Sequence, residues 1–267
     1  MRLREHTVHV RLATLEDVLD DGRYLQTLRA FEAFAGATYG RMRDLVGVRL
    51  PFHDIDGADD PLVGGYVGVG LHQRARFRLE SDDPALPSVE LHANSHPYSG
   101  RHVTGLDARF GHALVGDAAG IAAFEALVRD VVTAWAPLWA HAHDTDDLAI
   151  QNCESVDMLR LGFGVEATED ELADRPGREW ARGEFRYHAS WISYYGAEVC
   201  EKLTGHAADG ALAAGEPLAG GRWFRLFDDP LAAADDRDAQ RAHRDAIGYE
   251  RLAAKERWTH GYWQRRT

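Results

Sequence analysis

The length and composition of the chain exclude an intrinsically disordered protein: 45% of its 267 residues are hydrophobic and 10% are aromatic, enough to bury a core. The net charge of −13, from 43 acidic and 30 basic residues, argues against nucleic-acid binding, because contacts to phosphates supply most of that affinity. An acidic protein suits a basic partner, although acidic charge can also serve solubility alone.

The sequence shows no sign of export or membrane insertion. Residues 1–10 alternate polar and apolar side chains and contain no apolar signal-peptide core. The longest apolar stretch, residues 121–140, is interrupted by Glu125, Arg129 and Asp130, and charges in mid-bilayer are costly. We therefore expect a cytoplasmic protein without a membrane partner.

Hydrophobic periodicity in the first half of the chain predicts both strands and helices. The strongest helix begins at Asp117, which can cap it, and ends before Pro137, which cannot continue it. The predicted elements are a strand over 7–12, a helix from 24 to 39, a loop over 51–65, a strand over 71–80 with a hairpin partner over 89–93, and the helix after Asp117.

The second half of the chain continues with strand-like runs and polar helices. The predicted elements are strands over 158–165, 185–195 and 223–227 and helices over 197–203 and 232–255. Strands joined by turns, with few helices among them, indicate an α+β fold with a mostly antiparallel sheet packed with a few amphipathic helices. We expect a single globular domain over 1–267, in which residues 1–65 are a candidate N-terminal subregion.

A cluster of histidines and aspartates is the strongest candidate for catalytic chemistry. The residues from His141 to Asp147 resemble the HxHxDH signature of metallo-β-lactamase-like hydrolases. Two positions depart from it, because Thr145 stands where an Asp is required and Asp146 where a His is required. A metal-dependent hydrolase with His141, His143 and Asp146 as ligands is therefore one hypothesis. A capped acidic surface turn after the preceding helix explains the same residues.

Other catalytic and cofactor motifs are missing from the sequence, and no cofactor is predicted. Ser190 and Ser193 are not part of a GxSxG elbow. The glycines of residues 64–70 precede a strand, whereas a dinucleotide-binding loop follows one. Cys153 and Cys200 form no CxxC pair and lie beside acidic residues that raise a thiol pKa, so we expect reduced, unreactive thiols.

A row of arginines offers a third hypothesis. Arg74, Arg76 and Arg78 recur at strand spacing and can donate bidentate hydrogen bonds to an anion. They can equally pair with acidic residues of the neighbouring strand, such as Glu90. A small-molecule sensor that uses this face would be stabilised by an anionic ligand.

Three segments of the chain resemble the immunity protein 52 family of bacterial polymorphic-toxin and type VI immunity proteins. They are the helix end Trp135-Ala-Pro137-Leu-Trp139-Ala-His141, the strand and turn Ser190-Trp191-Ile-Ser-Tyr-Tyr195-Gly, and Gly220-Gly-Arg-Trp-Phe-Arg-Leu-Phe-Asp-Asp-Pro230 followed by His243. The resemblance covers about residues 70 to 260. It implies a cytoplasmic immunity protein that binds one toxin and blocks its active site or substrate groove. It implies no catalytic residues.

The acidic charge agrees with this implication, because a nuclease toxin must be basic to hold nucleic acid. We therefore predict a basic toxin as the partner, bound by acidic residues in loops. The predicted contact residues form three groups: Asp54, Asp56, Asp59 and Asp60; Asp144, Asp146 and Asp147; Glu169, Asp170 and Glu171.

Overall fold

The computed structural model shows an α+β protein. It describes residues 7–16, 18, 22–39, 41–43, 49–51, 73–79, 86–95, 101–232, 237–256 and 259–260. The chain divides into two compact units, which we call the N-unit (His9–Pro137) and the C-unit (Leu138–Thr267 together with Met1–Val8). The unit boundaries lie after residues 8 and 137. The predicted subregion over residues 1–65 stays a prediction.

The N-unit combines an antiparallel sheet with two long helices. Its strands are β1 (Thr7–Thr14, shared with the C-unit), β2 (Arg41–Arg43), β3 (Arg49–Pro51), β4 (Gln73–Leu79), β5 (Ser88–Ser95) and β6 (His102–Gly111), and its helices are α1 (Arg23–Ala35) and α2 (Ala118–Trp135). The strand order is β1-β6-β5-β4-β2-β3. The predicted strands at 7–12, 71–80 and 89–93 are confirmed, whereas β6 had no prediction.

Aromatic side chains fill the N-unit core. Phe31 of α1 and Phe124 of α2 both meet the ring of Phe110 of β6 edge-on, at centroid distances of 5.2 and 5.0 Å. The indole of Trp135 donates a hydrogen bond to the hydroxyl of Thr27 at 2.8 Å, which joins the ends of the two helices inside the unit. All four aromatic side chains have exposures of 1% or less.

Local signals explain the bounds of α2. The carboxylate of Asp117 accepts a hydrogen bond from the backbone N–H of Gly120, as an N-cap residue does. Ala136 adopts a left-handed conformation at the C-terminal end, directly before Pro137. The predicted start and end of this helix are confirmed.

The C-unit contains two sheets and six short helices in the described ranges. Strands β7 (Trp139–Asp144), β10 (Ile192–Tyr195), β11 (Glu216–Leu218) and β12 (Gly221–Arg225) form one sheet in the order β11-β12-β10-β7. Strands β8 (Trp180–Arg182), β9 (Phe185–Tyr187) and β13 (Thr259–His260) form the other in the order β13-β8-β9. The helices are α3 (Thr145–Asn152), α4 (Val156–Met158), α5 (Glu169–Ala173), α6 (Ala197–Leu203), α7 (Arg237–Ile247) and α8 (Tyr249–Lys255).

Three predicted elements of the C-unit differ from the structure. Residues 158–165 form no strand, because α4 runs into a π-helical turn at Leu159–Phe163. The predicted strand 185–195 is two strands, β9 and β10, separated by residues 188–191. The predicted helix 232–255 is divided into α7 and α8 by Gly248, whose φ of 68° lies in the left-handed region.

No helix in the described parts of the chain combines the length and the apolar character needed to cross a bilayer.

Candidate interaction surface and the buried polar cluster

The two histidines of the proposed metal site lie inside the C-unit. His141 and His143 belong to the buried strand β7 and are 2% and 0% exposed, so they do not form a surface turn. The His141 ring stacks between Trp139 at 5.3 Å and His188 at 5.1 Å. His143 is tilted against both other histidine rings. This packing explains the histidines as core aromatic residues.

An ion pair extends this aromatic stack. The guanidinium of Arg186 lies over the Trp139 ring, 5.4 Å from its centroid, and donates to the carboxylate of Glu179, which is fully buried. The guanidinium offsets the charge of the buried carboxylate, and the indole of Trp139 adds a cation–π contact to the guanidinium. A continuous row of contacting side chains therefore runs through the C-unit: Glu179, Arg186, Trp139, His141 and His188.

The structure does not support a metal ligand set at this place. Across the described residues, no group of three or more His, Cys, Asp or Glu side chains is placed to hold a metal ion. Asp146, the third predicted ligand, is half-buried in the first turn of α3. The hydrolase hypothesis with His141, His143 and Asp146 gains no structural basis here.

Asp144 and Asp147, two of the predicted toxin contacts, have hydrogen-bond partners inside the fold. Asp144 is the N-cap of α3, where its carboxylate accepts from the N–H groups of Asp146 and Asp147 at 2.8 and 3.4 Å. Both side chains are buried, with 6% and 1% exposure. Asp146 is the most exposed of this predicted group, whose role as toxin contacts stays a prediction.

Asp147 is the centre of a buried amide network. The side-chain N–H groups of Gln240 reach both of its oxygens, at 3.2 and 3.1 Å, and Gln151 donates to one of them at 3.0 Å. Gln240 also donates to the carbonyl of Ala189, and Gln151 accepts from the backbone N–H of Gly177. Helices α3 and α7 and two loops are thus joined at one carboxyl group. Burial raises the pKa of Asp147 to about 6 despite these donors.

A second buried polar group lies at the inner face of α7. The His243 ring stacks on Tyr195 at an interplanar angle of 7° and lies 3.2 Å from its hydroxyl. The same hydroxyl donates to the carbonyl of His188 at 2.8 Å. Burial lowers the pKa of His243 to about 3, so the ring is neutral at physiological pH.

The candidate nucleophiles are bound into the fold. Ser190 donates to the carbonyl of Ile192, and Ser193 donates to the carbonyl of His188. Cys153 is buried, and burial raises the pKa of the half-buried Cys200, which favours a thiol over a thiolate. These contacts give each group a structural role.

The third predicted acidic group lies on the surface. Glu169, Asp170 and Glu171 are exposed in the first turn of α5, a short helix where the sequence suggested a loop. Glu171 and Thr168 form a reciprocal capping box, and the N–H and hydroxyl donors of Thr168 lower the pKa of Glu171. The Glu171 carboxylate is therefore held in a defined position, and its ionised form is favoured.

Exposed apolar side chains lie in the preceding segment of the same unit. Met158, Leu161 and Phe163 have exposures of 46%, 80% and 37%. All three belong to α4 and the π-helical turn that follows it. The sequence reasoning missed them because it assigned this segment to a strand. The cap residue Ser155, which accepts from the N–H of Met158, was the local signal for a helical turn.

Together these residues define what we call the 154–171 surface. It presents the three apolar side chains and six exposed carboxylates, with Arg160 as its one basic residue. The carboxylates are those of Glu154, Asp157, Glu166, Glu169, Asp170 and Glu171. Exposed apolar side chains together with charged ones are typical of a protein-binding surface.

Two predicted sites involve residues or side chains outside the described part of the structure. Asp54, Asp56, Asp59 and Asp60 lie outside the described residues. Arg74, Arg76 and Arg78 belong to β4, whose backbone pairs with β5 so that Arg78 stands opposite Glu90. Their side chains also lie outside the described part of the structure.

We compared the chain with family models, curated proteins and solved structures. No protein-family model matches the chain, and neither does any curated protein sequence, so the resemblance to the immunity protein 52 family is without support from either. Among solved structures, the chain is similar to the Pseudomonas aeruginosa T6SS protein PA0821, with 12% identity and a TM-score of 0.47. The match covers 83% of this chain and 65% of that one. Similarity at this level carries no argument about function.

Proposed function

We propose that this protein is a cytoplasmic immunity protein that binds a basic bacterial toxin and neutralises it by occlusion. The observation that carries the proposal is the 154–171 surface, which has six exposed carboxylates and one arginine. Opposite charges across an interface steer the encounter of two proteins and raise the association rate. A toxin that acts on nucleic acid has the complementary basic surface.

The tryptophans of the three segments that carry the family resemblance belong to the core. Trp135, Trp191 and Trp223 of the three resembling segments are all buried, at 2% exposure or less. They stabilise the fold and are not placed to act on a substrate.

The association rate with the toxin tests the electrostatic part of this proposal. The probe is the product of the adjacent gene, purified in a catalytically inactive form. A triple variant carries Glu169→Gln, Asp170→Asn and Glu171→Gln, and the glutamine at 171 retains the capping box. We expect the association rate to fall by roughly threefold or more at low ionic strength.

A matched variant separates local from global charge. Glu201→Gln, Asp209→Asn and Glu216→Gln remove the same number of charges at three other exposed positions of the C-unit. This variant should change the rate much less than the first. Equal rates for the wild type and both variants would remove the electrostatic basis of the proposal.

A further inference from the structure

The exposed large hydrophobic side chains of the described residues are concentrated in one place. Met158, Leu161 and Phe163 fall within six residues of the chain, and Leu161 is 80% exposed. Single exposed apolar residues are ordinary, whereas a cluster of them indicates a surface that another molecule covers.

The segment that carries these exposed side chains is anchored to the core of the C-unit. Leu159, between Met158 and Leu161, is fully buried in a small core cluster with Ala149, Ile150, Cys153 and Leu172. The turn ends at Gly164, whose φ of 68° allows its N–H to bond back to the carbonyls of Arg160 and Leu159. The exposed side chains are therefore presented from a turn whose backbone is closed by its own hydrogen bonds.

The same core cluster places the acidic residues beside the apolar ones. Leu172, the buried residue of α5, packs in the cluster that contains Leu159. Its neighbours Glu169, Asp170 and Glu171 are exposed in the first turn of that helix. The segment with the apolar side chains and the helix with the acidic ones are thus anchored in the same core cluster of the C-unit.

From this arrangement we propose that Met158, Leu161 and Phe163 are the apolar centre of the toxin-docking surface, with the surrounding carboxylates as its rim. The inference rests on the proposed function and specifies the partner. The toxin would present an apolar pocket bordered by Lys and Arg side chains. Met and aromatic residues at the centre with charged residues at the rim match the usual anatomy of interfaces.

A second copy of this chain is a poorer occupant of the surface. In a two-fold symmetric dimer the same patch meets itself. The six exposed carboxylates of one copy would then meet those of the other, and the 154–171 surface itself contributes only Arg160 as a basic residue. Like charges in close opposition are unfavourable, whereas a basic partner relieves them.

The test is the equilibrium and kinetics of binding between the full chain and the inactive adjacent-gene toxin. Leu161→Gln removes the most exposed apolar side chain without adding charge. We expect its complex to be about tenfold weaker or more, through faster dissociation and with a nearly unchanged association rate. Leu218→Gln, at a half-buried position of β11, is the control and should bind as the wild type does.

The outcomes separate this inference from the proposed function. If the wild type binds the toxin and Leu161→Gln and Met158→Gln bind equally well, the docking surface lies elsewhere, although the immunity function stands. If the wild type does not bind the toxin, both proposals fail. If the wild type self-associates in light scattering and Leu161→Gln abolishes that, the surface belongs to a second copy and the inference is overturned.

Discussion

At the scale of single residues, Asp147 has the most informative environment. Its carboxyl group is buried among amide donors, and its pKa is about 6 against an ordinary value of 3.8. Between these pH values the folded protein holds a proton that the unfolded chain releases. The stabilisation from this group is therefore complete below pH 3.8 and is lost as the pH rises through about 6.

The variant Asp147→Asn tests this dependence, because asparagine does not titrate. The free energy of unfolding of the wild type minus that of the variant should decrease as the pH rises from 4 to 7. One pKa unit corresponds to about 1.4 kcal/mol, so the total fall is up to about 3 kcal/mol. Urea unfolding across this range measures it, and a difference independent of pH would contradict the assignment.

His243 should show the opposite dependence. Its pKa is lowered from 6.5 to about 3 by burial, so on acidification the unfolded chain takes up a proton that the folded protein excludes. The stabilisation is present above pH 6.5 and decreases as the pH falls towards 3. Compared with His243→Phe, which keeps an aromatic ring beside Tyr195, the wild type should lose about 2 kcal/mol of relative stability from pH 7 to pH 5. Parallel urea titrations at the two pH values measure this loss, and equal changes for both proteins would refute it.

At the scale of elements, the close packing of the loop at Gly177 leads to a prediction about stability. A Cβ atom on Gly177 would lie 2.5 Å from the carbonyl oxygen of Ala189 and 2.9 Å from the side-chain nitrogen of Gln240. Gly177→Ala must therefore displace the loop or break the Asp147 network, at a cost of about 2 kcal/mol or more.

Gly162 in the π-helical turn is the matched control, since a Cβ there meets nothing within 4 Å. Gly162→Ala should leave the midpoint of thermal unfolding nearly unchanged, whereas Gly177→Ala lowers it by several degrees. Equal midpoints for the two variants would show that Gly177 is not closely packed.

The elements also show where sequence reasoning succeeds. Helix α2 was predictable because its cap at Asp117, its apolar periodicity and Pro137 are all local signals. The segment 158–165 was not, because its only buried side chain, Leu159, is selected by a tertiary cluster that the periodicity does not reveal. The sequence left a metal site and a surface turn as alternatives for His141 and His143, whereas the strand that carries them is fully buried.

The same contrast applies to the candidate site. The exposed position of Glu169, Asp170 and Glu171 followed from their charge, because ionised carboxylates are costly to bury. Asp144 and Asp147 have the same chemistry and are buried, because backbone N–H groups and glutamine amides supply the hydrogen bonds that burial requires. The structure, and not the sequence, shows which carboxylates have such hydrogen-bond partners.

At the scale of the whole molecule, charge should make the proposed association with a basic toxin dependent on salt. The net charge of −13 and the exposed carboxylates of the 154–171 surface should steer a basic partner over long range. We expect the association rate to fall about tenfold or more from low to high ionic strength, while the dissociation rate changes little. Stopped-flow mixing at several salt concentrations measures both, and a salt-independent association rate would contradict this expectation.

The immunity function is tested most directly by growth. Cells that express the product of the adjacent gene are compared with cells that express it together with this protein. The account predicts that the adjacent product arrests growth, and that the wild type and Leu218→Gln restore it by forming a stable complex with that product. Harmless expression of the adjacent product, or growth arrest that the wild-type protein does not relieve, would contradict it.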